Sequence, residues 1–308
     1  MSELEVQVPE ELQGERVDLV LAQLMGLSRS KVADYADQGL VRLGNRVVNR
    51  SAKVAAGDWL TVLVPPERNP LEVVPEFIED MRVLYDDSDV VVIDKPAGVA
   101  VHPSAGFEGP TVVGGLVALG YRITTQGAAE RQGVVQRLDV GTSGVMVIAK
   151  SDWAYSHLKQ QFRDRTVDKI YHALVHGRLD PMVGTIDAPI GRHPNHDWKF
   201  AVMEGGRPSV THYETIEAMA YASLLEIHLE TGRTHQIRVH ALHMGHALAG
   251  DERYGDEATN RRFRQSGLKR LFLHAAHTTF RHPRSGEALR IEAPLDQELA
   301  VFLEGLPG

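Results

Sequence analysis

The order of helical and strand-like segments along this 308-residue chain predicts an α+β fold in two domains. Three observations carry that reading. Two helix-spaced segments precede short strands within the first 64 residues, Pro65, Pro66 and Pro70 then interrupt the chain, and β-type runs between turn residues follow. The expected division is a small domain over 1–64, a linker over 65–74 and a large domain over 75–308.

Residues 1–14 carry Glu3, Glu5, Glu10 and Glu11 and are expected to be loosely ordered. Val17, Val20, Leu21 and Leu24 recur at i, i+3, i+4 and i+7, which predicts a helix over 16–24. Ser28 is placed to cap a second helix running to about Gln38, with Val32 and Tyr35 inward and Gly39 ending it. Strands over 41–43 and 46–48 bracket the turn Gly44-Asn45, and 59–64 supplies another. Beyond the prolines, 83–85 and 90–93 form a hairpin around the turn 86–89, and Asp94-Lys95-Pro96-Ala97-Gly98 leads into Val99-Ala100-Val101.

The stretch 133–150, GVVQRLDVGTSGVMVIAK, places a short polar centre between two apolar runs. Val134-Val135 and 145–149 read as buried strand ends, and Gly141, Thr142, Ser143 and Gly144 favour a tight turn. On an extended backbone Leu138 points away from Arg137 and Asp139, so the guanidinium and the carboxylate share a face. The residues alone leave two readings of Asp139: a nucleophile or general base held where a core meets an opening, or a solvated turn charge. Further on, 156–165 reads as an amphipathic helix with Leu158, Gln161 and Phe162 near one face. Residues 167–175 read as a strand with Tyr171 in its middle, and Arg192, His193 and Lys199 lie in a long polar connection. Leu225, Ile227 and Leu229 alternate along a half-buried strand, after which Ile237, Ala241 and Met244 take helical spacing and put Arg238 in the first turns of a helix.

Composition excludes several chemistries. With 43 % hydrophobic and 24 % charged residues the chain has the balance of a globular protein. No apolar run approaches the roughly 20 residues of a membrane span, and the acidic start lacks a signal-peptide pattern, so a cytoplasmic location is expected. The absence of cysteine removes disulfides, thiolate metal sites and cysteine nucleophiles. Net charge is −8, yet 28–53 is +4, and 231–290 holds eleven Lys and Arg against five acids, a net +6. Two basic patches on an acidic chain suit a polyanion, because neutralised phosphates release counterions; ordinary solvated faces are the plainer alternative.

The segment QRLDVGTSGVMVIAK resembles the central motif of the RluA-type pseudouridine synthases. Lys169-Ile170-Tyr171 and TGRTHQIRVH over 231–240 follow in that family's order, and DKPAGVAVHPSAG over 94–106 resembles the start of its catalytic domain. One departure is Gln136, where the family commonly has His. The resemblance implies a mixed, mainly antiparallel sheet in the large domain and an isomerase of RNA uridines without cofactor, metal or bound nucleotide. It also implies Asp139 as the catalytic carboxylate, Tyr171 stacking on the target base and Arg238 pairing with Asp139. Arg137 is expected near the stack vacated by a flipped nucleotide, with Lys95, Arg192 and Arg233 contacting RNA; for Lys95 a strand-end charge is the alternative. The small domain, two helices followed by strands with basic residues outside, resembles the S4-type RNA-binding domain, with Arg29, Lys31, Arg42 and Arg46 as RNA contacts. Residues 184–202 and GRPSVTHYE over 206–214 resemble the RluD branch, which implies large-subunit ribosomal RNA, helix 69, as substrate, and a monomer. Two other classes compete. A non-catalytic RNA-binding or ribosome-assembly protein has no need of the Asp, Tyr and Arg set, and a metallohydrolase reading rests on His240, His243 and His246, whose steps of three drift around a helix without an accompanying carboxylate pattern.

Overall fold

A computed structural model describes residues 2–64, 71–104 and 106–307, so the three linker prolines lie outside the described residues. The chain falls into two compact units, Met1–Asn69 and Pro70–Gly308.

In the first unit, β1 (Ser2–Gln7), α1 (Val17–Met25), α2 (Arg29–Asp37), β2 (Val41–Leu43), β3 (Arg46–Val47) and β4 (Trp59–Val64) form a four-stranded sheet of order β1-β4-β2-β3 with two helices. Ser28 caps α2 by accepting the Lys31 amide at 3.2 Å, and Gly44 takes φ +55° in the β2–β3 turn. Val17, Val20, Leu21, Val32, Leu60 and Val62 bury the helix–sheet contact. Residues 2–7 correct the expectation of a loose start: they pair antiparallel with β4 from Ser2↔Val64 to Gln7↔Trp59. Acidic composition reports that side chains are solvated. It does not report on a backbone that finds an open sheet edge, and Glu3 and Glu5 alternate with Leu4 and Val6, the latter packing against the core.

The second unit contains β5 (Arg82–Asp86), β6 (Val90–Lys95), α3 (Val112–Ala118), β7 (Ser143–Ala149), α4 (Asp152–Asp164), β8 (Asp168–His176), β9 (Val183–Asp187), β10 (Ile190–His193), β11 (His196–Val202), β12 (Val210–Ala218), β13 (Ala222–Leu229), α5 (Gln236–His243), α6 (Glu257–Gln265), β14 (Leu273–Arg281), β15 (Ala288–Glu292) and α7 (Gln297–Glu304). Its main sheet runs β5-β6-β7-β14-β8-β13-β12-β9, with β15 on β14 and β10–β11 a separate hairpin. The pairs are antiparallel except β7 with β14, so the sheet is mixed and mainly antiparallel, as expected. No helix among the described residues is long and apolar enough to cross a membrane.

That parallel pair brings β7 and β14 into close approach. Gly144 lies opposite Ala275 with φ +110°, and a Cβ there would collide with the Ala275 carbonyl, so glycine is required by close approach. Three expectations differ from the structure. Val134 makes only an isolated bridge to Ile148, and the chain from 135 to 142 is irregular. Helix α4 begins at Asp152, four residues before the expected start at 156, because Ser151 caps it through the Ala154 amide at 3.1 Å. Helix α3 has no sequence counterpart, since Gly114 and Gly115 sit at its centre; there they admit the Val74 carbonyl and the side chains of Ile78 and Met81.

His274 ties β14 to β7 in the interior. Its Nε2 donates to the Ala293 carbonyl at 3.2 Å, leaving Nδ1 to accept from the Ser143 hydroxyl at 2.9 Å. Burial pushes this imidazole down to about 4. Unfolded chains take up a proton near the ordinary value of roughly 6.5, so the neutral ring's contribution is complete above that pH and is lost on acidification. Between pH 7 and pH 5 it amounts to roughly 2 kcal/mol. Urea unfolding at the two pH values should show the loss, and His274→Asn, though less stable throughout, should lack this share of the pH dependence.

Candidate active site

Leu138 belongs to the main core, while Arg137 is exposed and Asp139 half-buried, so the irregular segment before β7 turns its two charged side chains to one side. Two clefts of about 670 and 820 Å³ meet at Arg137, Leu138 and Asp139. The Asp139 carbonyl accepts the Thr142 amide at 3.0 Å, a turn that delivers the chain into β7.

Asp139 Oδ2 accepts a hydrogen bond from Arg238 Nη1 at 3.0 Å. Arg238 stands in the first turn of α5 and donates Nε and Nη2 to the two oxygens of Asp251 at 2.8 and 2.9 Å, a bidentate pair. The Asp251 side chain is fully buried, and its Oδ1 also accepts the Arg253 and Tyr254 amides at 3.0 Å. Burial opposes the guanidinium charge, but Asp251 and Asp139 outweigh it and raise its pKa above the ordinary arginine value. The Tyr254 ring lies 5.0 Å beneath the guanidinium. Arg238 therefore has one fixed orientation, and through it so does one oxygen of Asp139.

Tyr171, in the middle of β8, is buried and lines the larger cleft with Asp139; burial first and the Asp139 charge second push its hydroxyl well up. It stays neutral, suited to stacking and reluctant to give up its proton. Gln136 lines the same cleft with its amide nitrogen buried and without a hydrogen-bond partner among the described residues. Arg137, Lys159, Arg163, Arg165 and Arg233 border this cleft, and Arg192 joins Arg137, Arg207 and Arg233 around a neighbouring opening. Arg233 Nε donates to the Pro208 carbonyl at 3.3 Å, and the Arg192 guanidinium lies 5.7 Å over Phe200. In the first unit Arg29, Arg42 and Arg46 are exposed and Lys31 is half-buried on α2.

Lys95 requires a correction. It is fully buried, and its ammonium donates to the carbonyls of Pro96, Val99 and Val140 at 2.9, 2.8 and 3.3 Å. No phosphate reaches it. Burial pushes it down to about 7, against the pull of Asp139. It pins the loop after β6 to the turn after Asp139. His240 likewise spends both ring nitrogens inside the fold, on the Thr211 hydroxyl at 2.8 Å and the Ala188 carbonyl at 3.0 Å. His246 meets the His176 carbonyl at 2.8 Å, and no three His, Asp or Glu among the described residues are grouped to hold a metal ion.

Three participants were not singled out from sequence: His235, Asp251 and Tyr254. His235 Nε2 lies 3.9 Å from Asp139 Oδ2, and its Nδ1 is 2.8 Å from the Tyr254 hydroxyl. His235 sits inside the quoted TGRTHQIRVH segment, and Gly250-Asp251 and Tyr254-Gly255 are turn signals with an acid and an aromatic between expected elements.

Comparison with known proteins gives the class. A family model described as RNA pseudouridylate synthase matches residues 89–243, which include Asp139, Tyr171 and Arg238. An uncharacterised RNA pseudouridine synthase of Mycobacterium bovis is 52 % identical over 308 residues, covering 100 % of this chain and 99 % of that protein. The ribosomal large subunit pseudouridine synthase D of Nitrosomonas europaea is 38 % identical over 306 residues, covering 98 % and 88 %. Among solved structures, human RNA pseudouridylate synthase domain containing 1 aligns with a TM-score of 0.60 at 25 % identity, over 76 % of this chain and 90 % of that one. The chain belongs to the RNA pseudouridylate synthase family, and its reaction is the isomerisation of uridine in RNA.

Removing the Lys95 ammonium leaves the Pro96 and Val99 carbonyls without a donor among the described residues, each at a cost of about 1–3 kcal/mol, while the Val140 carbonyl keeps the Gly98 amide at 2.8 Å. Lys95→Met should lower stability by several kcal/mol in urea unfolding, while filter binding of RNA by the folded fraction stays unchanged.

Proposed function

We propose that Asp139 is the catalytic carboxylate of this synthase and that its substrate is large-subunit ribosomal RNA, at helix 69. One observation carries the catalytic assignment: a carboxylate at the junction of two arginine-bordered clefts is held through one oxygen by Arg238, itself clamped on buried Asp251. Such a group is held in one orientation beside a fixed positive charge, which suits either attack or proton removal.

Pseudouridine formation breaks the bond from C1′ to N1 and joins C1′ to C5; C5 loses a proton and N1 gains one, so the reaction needs no reductant. Asp139 acts either covalently or by taking the C2′ proton. Tyr171 holds the freed base against the cleft wall, and Arg137 meets the vacated stack of the flipped nucleotide. The ribosomal target is supported by the 38 % identity to relatives named ribosomal large subunit pseudouridine synthase D, and helix 69 by the resemblance to the RluD branch. In this reading the first unit is an S4-type RNA-binding domain whose exposed Arg29, Arg42 and Arg46, with Lys31, hold RNA, and the enzyme works as a cytoplasmic monomer.

Tritium release from ribosomal RNA carrying [5-³H]uridine tests the assignment, with naked RNA and assembled subunits as parallel substrates. Wild type should release tritium, and Asp139→Asn should be slower by at least about 10³-fold with unchanged RNA affinity. Turnover by Asp139→Asn would remove the carboxylate from its role, and modified sites mapping only outside helix 69 would remove the target.

A further inference from the structure

His235 is one of two non-glycine residues among those described with positive φ, at +55°, and it stands at the entry to α5. A left-handed conformation at a non-glycine residue costs about 1–2 kcal/mol and persists where surrounding contacts impose it. Those contacts come from three elements. Phe200 on β11 packs edge-on against the imidazole at 5.7 Å, Tyr254 bonds its Nδ1 at 2.8 Å, and Gln236 Oε1 accepts the Arg233 amide at 3.0 Å, bracing the loop.

The hydrogen bonds decide the tautomer. The Phe200 amide donates to the Tyr254 oxygen at 3.0 Å and can only donate. If His235 Nδ1 also donated there, the tyrosine's own proton would have no acceptor among the described residues, and the Nε2 lone pair would face a carboxylate. With Tyr254 donating to Nδ1, the tyrosine proton and the Nδ1 lone pair are both satisfied, and Nε2 carries the hydrogen. That nitrogen lies 3.9 Å from Asp139 Oδ2. The gap is longer than a hydrogen bond, and catalytic contacts of this kind commonly tighten when substrate binds. Arg238, Arg253, Asp139 and Asp251 are the charges acting on the ring; burial is the larger influence and lowers its pKa, so the neutral form prevails near neutrality.

Resting on the assignment of Asp139, we propose that His235, oriented by Tyr254, is a positioning residue that holds Asp139 Oδ2 together with Arg238 and reserves Oδ1 for the reaction. Arg238 and His235 meet the same oxygen, whereas Oδ1 has no partner among the described residues. A carboxylate held on one oxygen only can swing; two donors on Oδ2 stop that rotation.

Single-turnover tritium release at saturating enzyme separates chemistry from binding. His235→Leu removes the donor and Tyr254→Phe frees the ring to take the other tautomer; each should slow the chemical step about 10–100-fold with RNA affinity within about twofold. His235→Gln, whose amide N–H reaches the place of Nε2, should recover most of the rate. Wild-type chemistry in His235→Leu or in Tyr254→Phe would overturn the proposal, as would a change confined to affinity or a His235→Gln rate as low as that of His235→Leu. Asp139→Asn run alongside separates the two assignments: if it turns over, the carboxylate reading itself fails, and if it is inert while the His235 variants match wild type, only the positioning role fails.

Discussion

The buried pairing of Asp251 with Arg238 is the constraint on which the site depends. A fully desolvated carboxylate needs its charge and lone pairs met inside the protein. Asp251 meets them with both ends of the guanidinium and the amides of Arg253 and Tyr254. Because that fork is rigid and planar, fixing two of its nitrogens also fixes the third, and Nη1 is the one that holds Asp139. The buried pair thus transmits position from the interior to a carboxylate that remains open to solvent.

The rest of the second unit brings the two halves of this arrangement together across 99 residues of sequence. Asp139 comes from the segment entering β7, whose parallel pairing with β14 passes through Gly144, and it is anchored from below by Leu138 in the core and by Lys95 through the Val140 carbonyl. Arg238 comes from α5, and Tyr171 from β8, which lies between β14 and β13. A sheet strand, a short helix and a segment pinned at both its Leu138 and Val140 neighbours carry these three side chains, so little conformational freedom is left to them. The arginines around the clefts differ from Arg238 in lying mostly exposed.

Much of this was legible in the sequence where local pattern and long-range contact agree. The alternation at 137–139 placed Leu138 opposite its two charged neighbours, and the apolar spacing of α5 placed Arg238 in its first turn. Resemblance to the RluA-type motif then linked the two residues. Lys95 was misread because a lysine after a strand looks the same whether its ammonium meets water or three carbonyls; the choice is made by loops elsewhere in the chain. The N-terminal strand was hidden by acidic composition, and α3 by paired glycines that exist for close packing. Asp251, Tyr254 and His235 carry ordinary turn and helix-entry signals, and their roles arise only when the 250–254 turn folds against α5.

The single-turnover rate of Arg238→Lys, measured beside its RNA affinity, tests the central claim that a rigid guanidinium fork positions the carboxylate. Lysine keeps the charge yet cannot engage Asp251 bidentately and reach Asp139 at once. The arrangement predicts a chemical step slowed by at least about 100-fold with affinity nearly unchanged. A variant that reacts at the wild-type rate would show that charge alone suffices and would contradict the account.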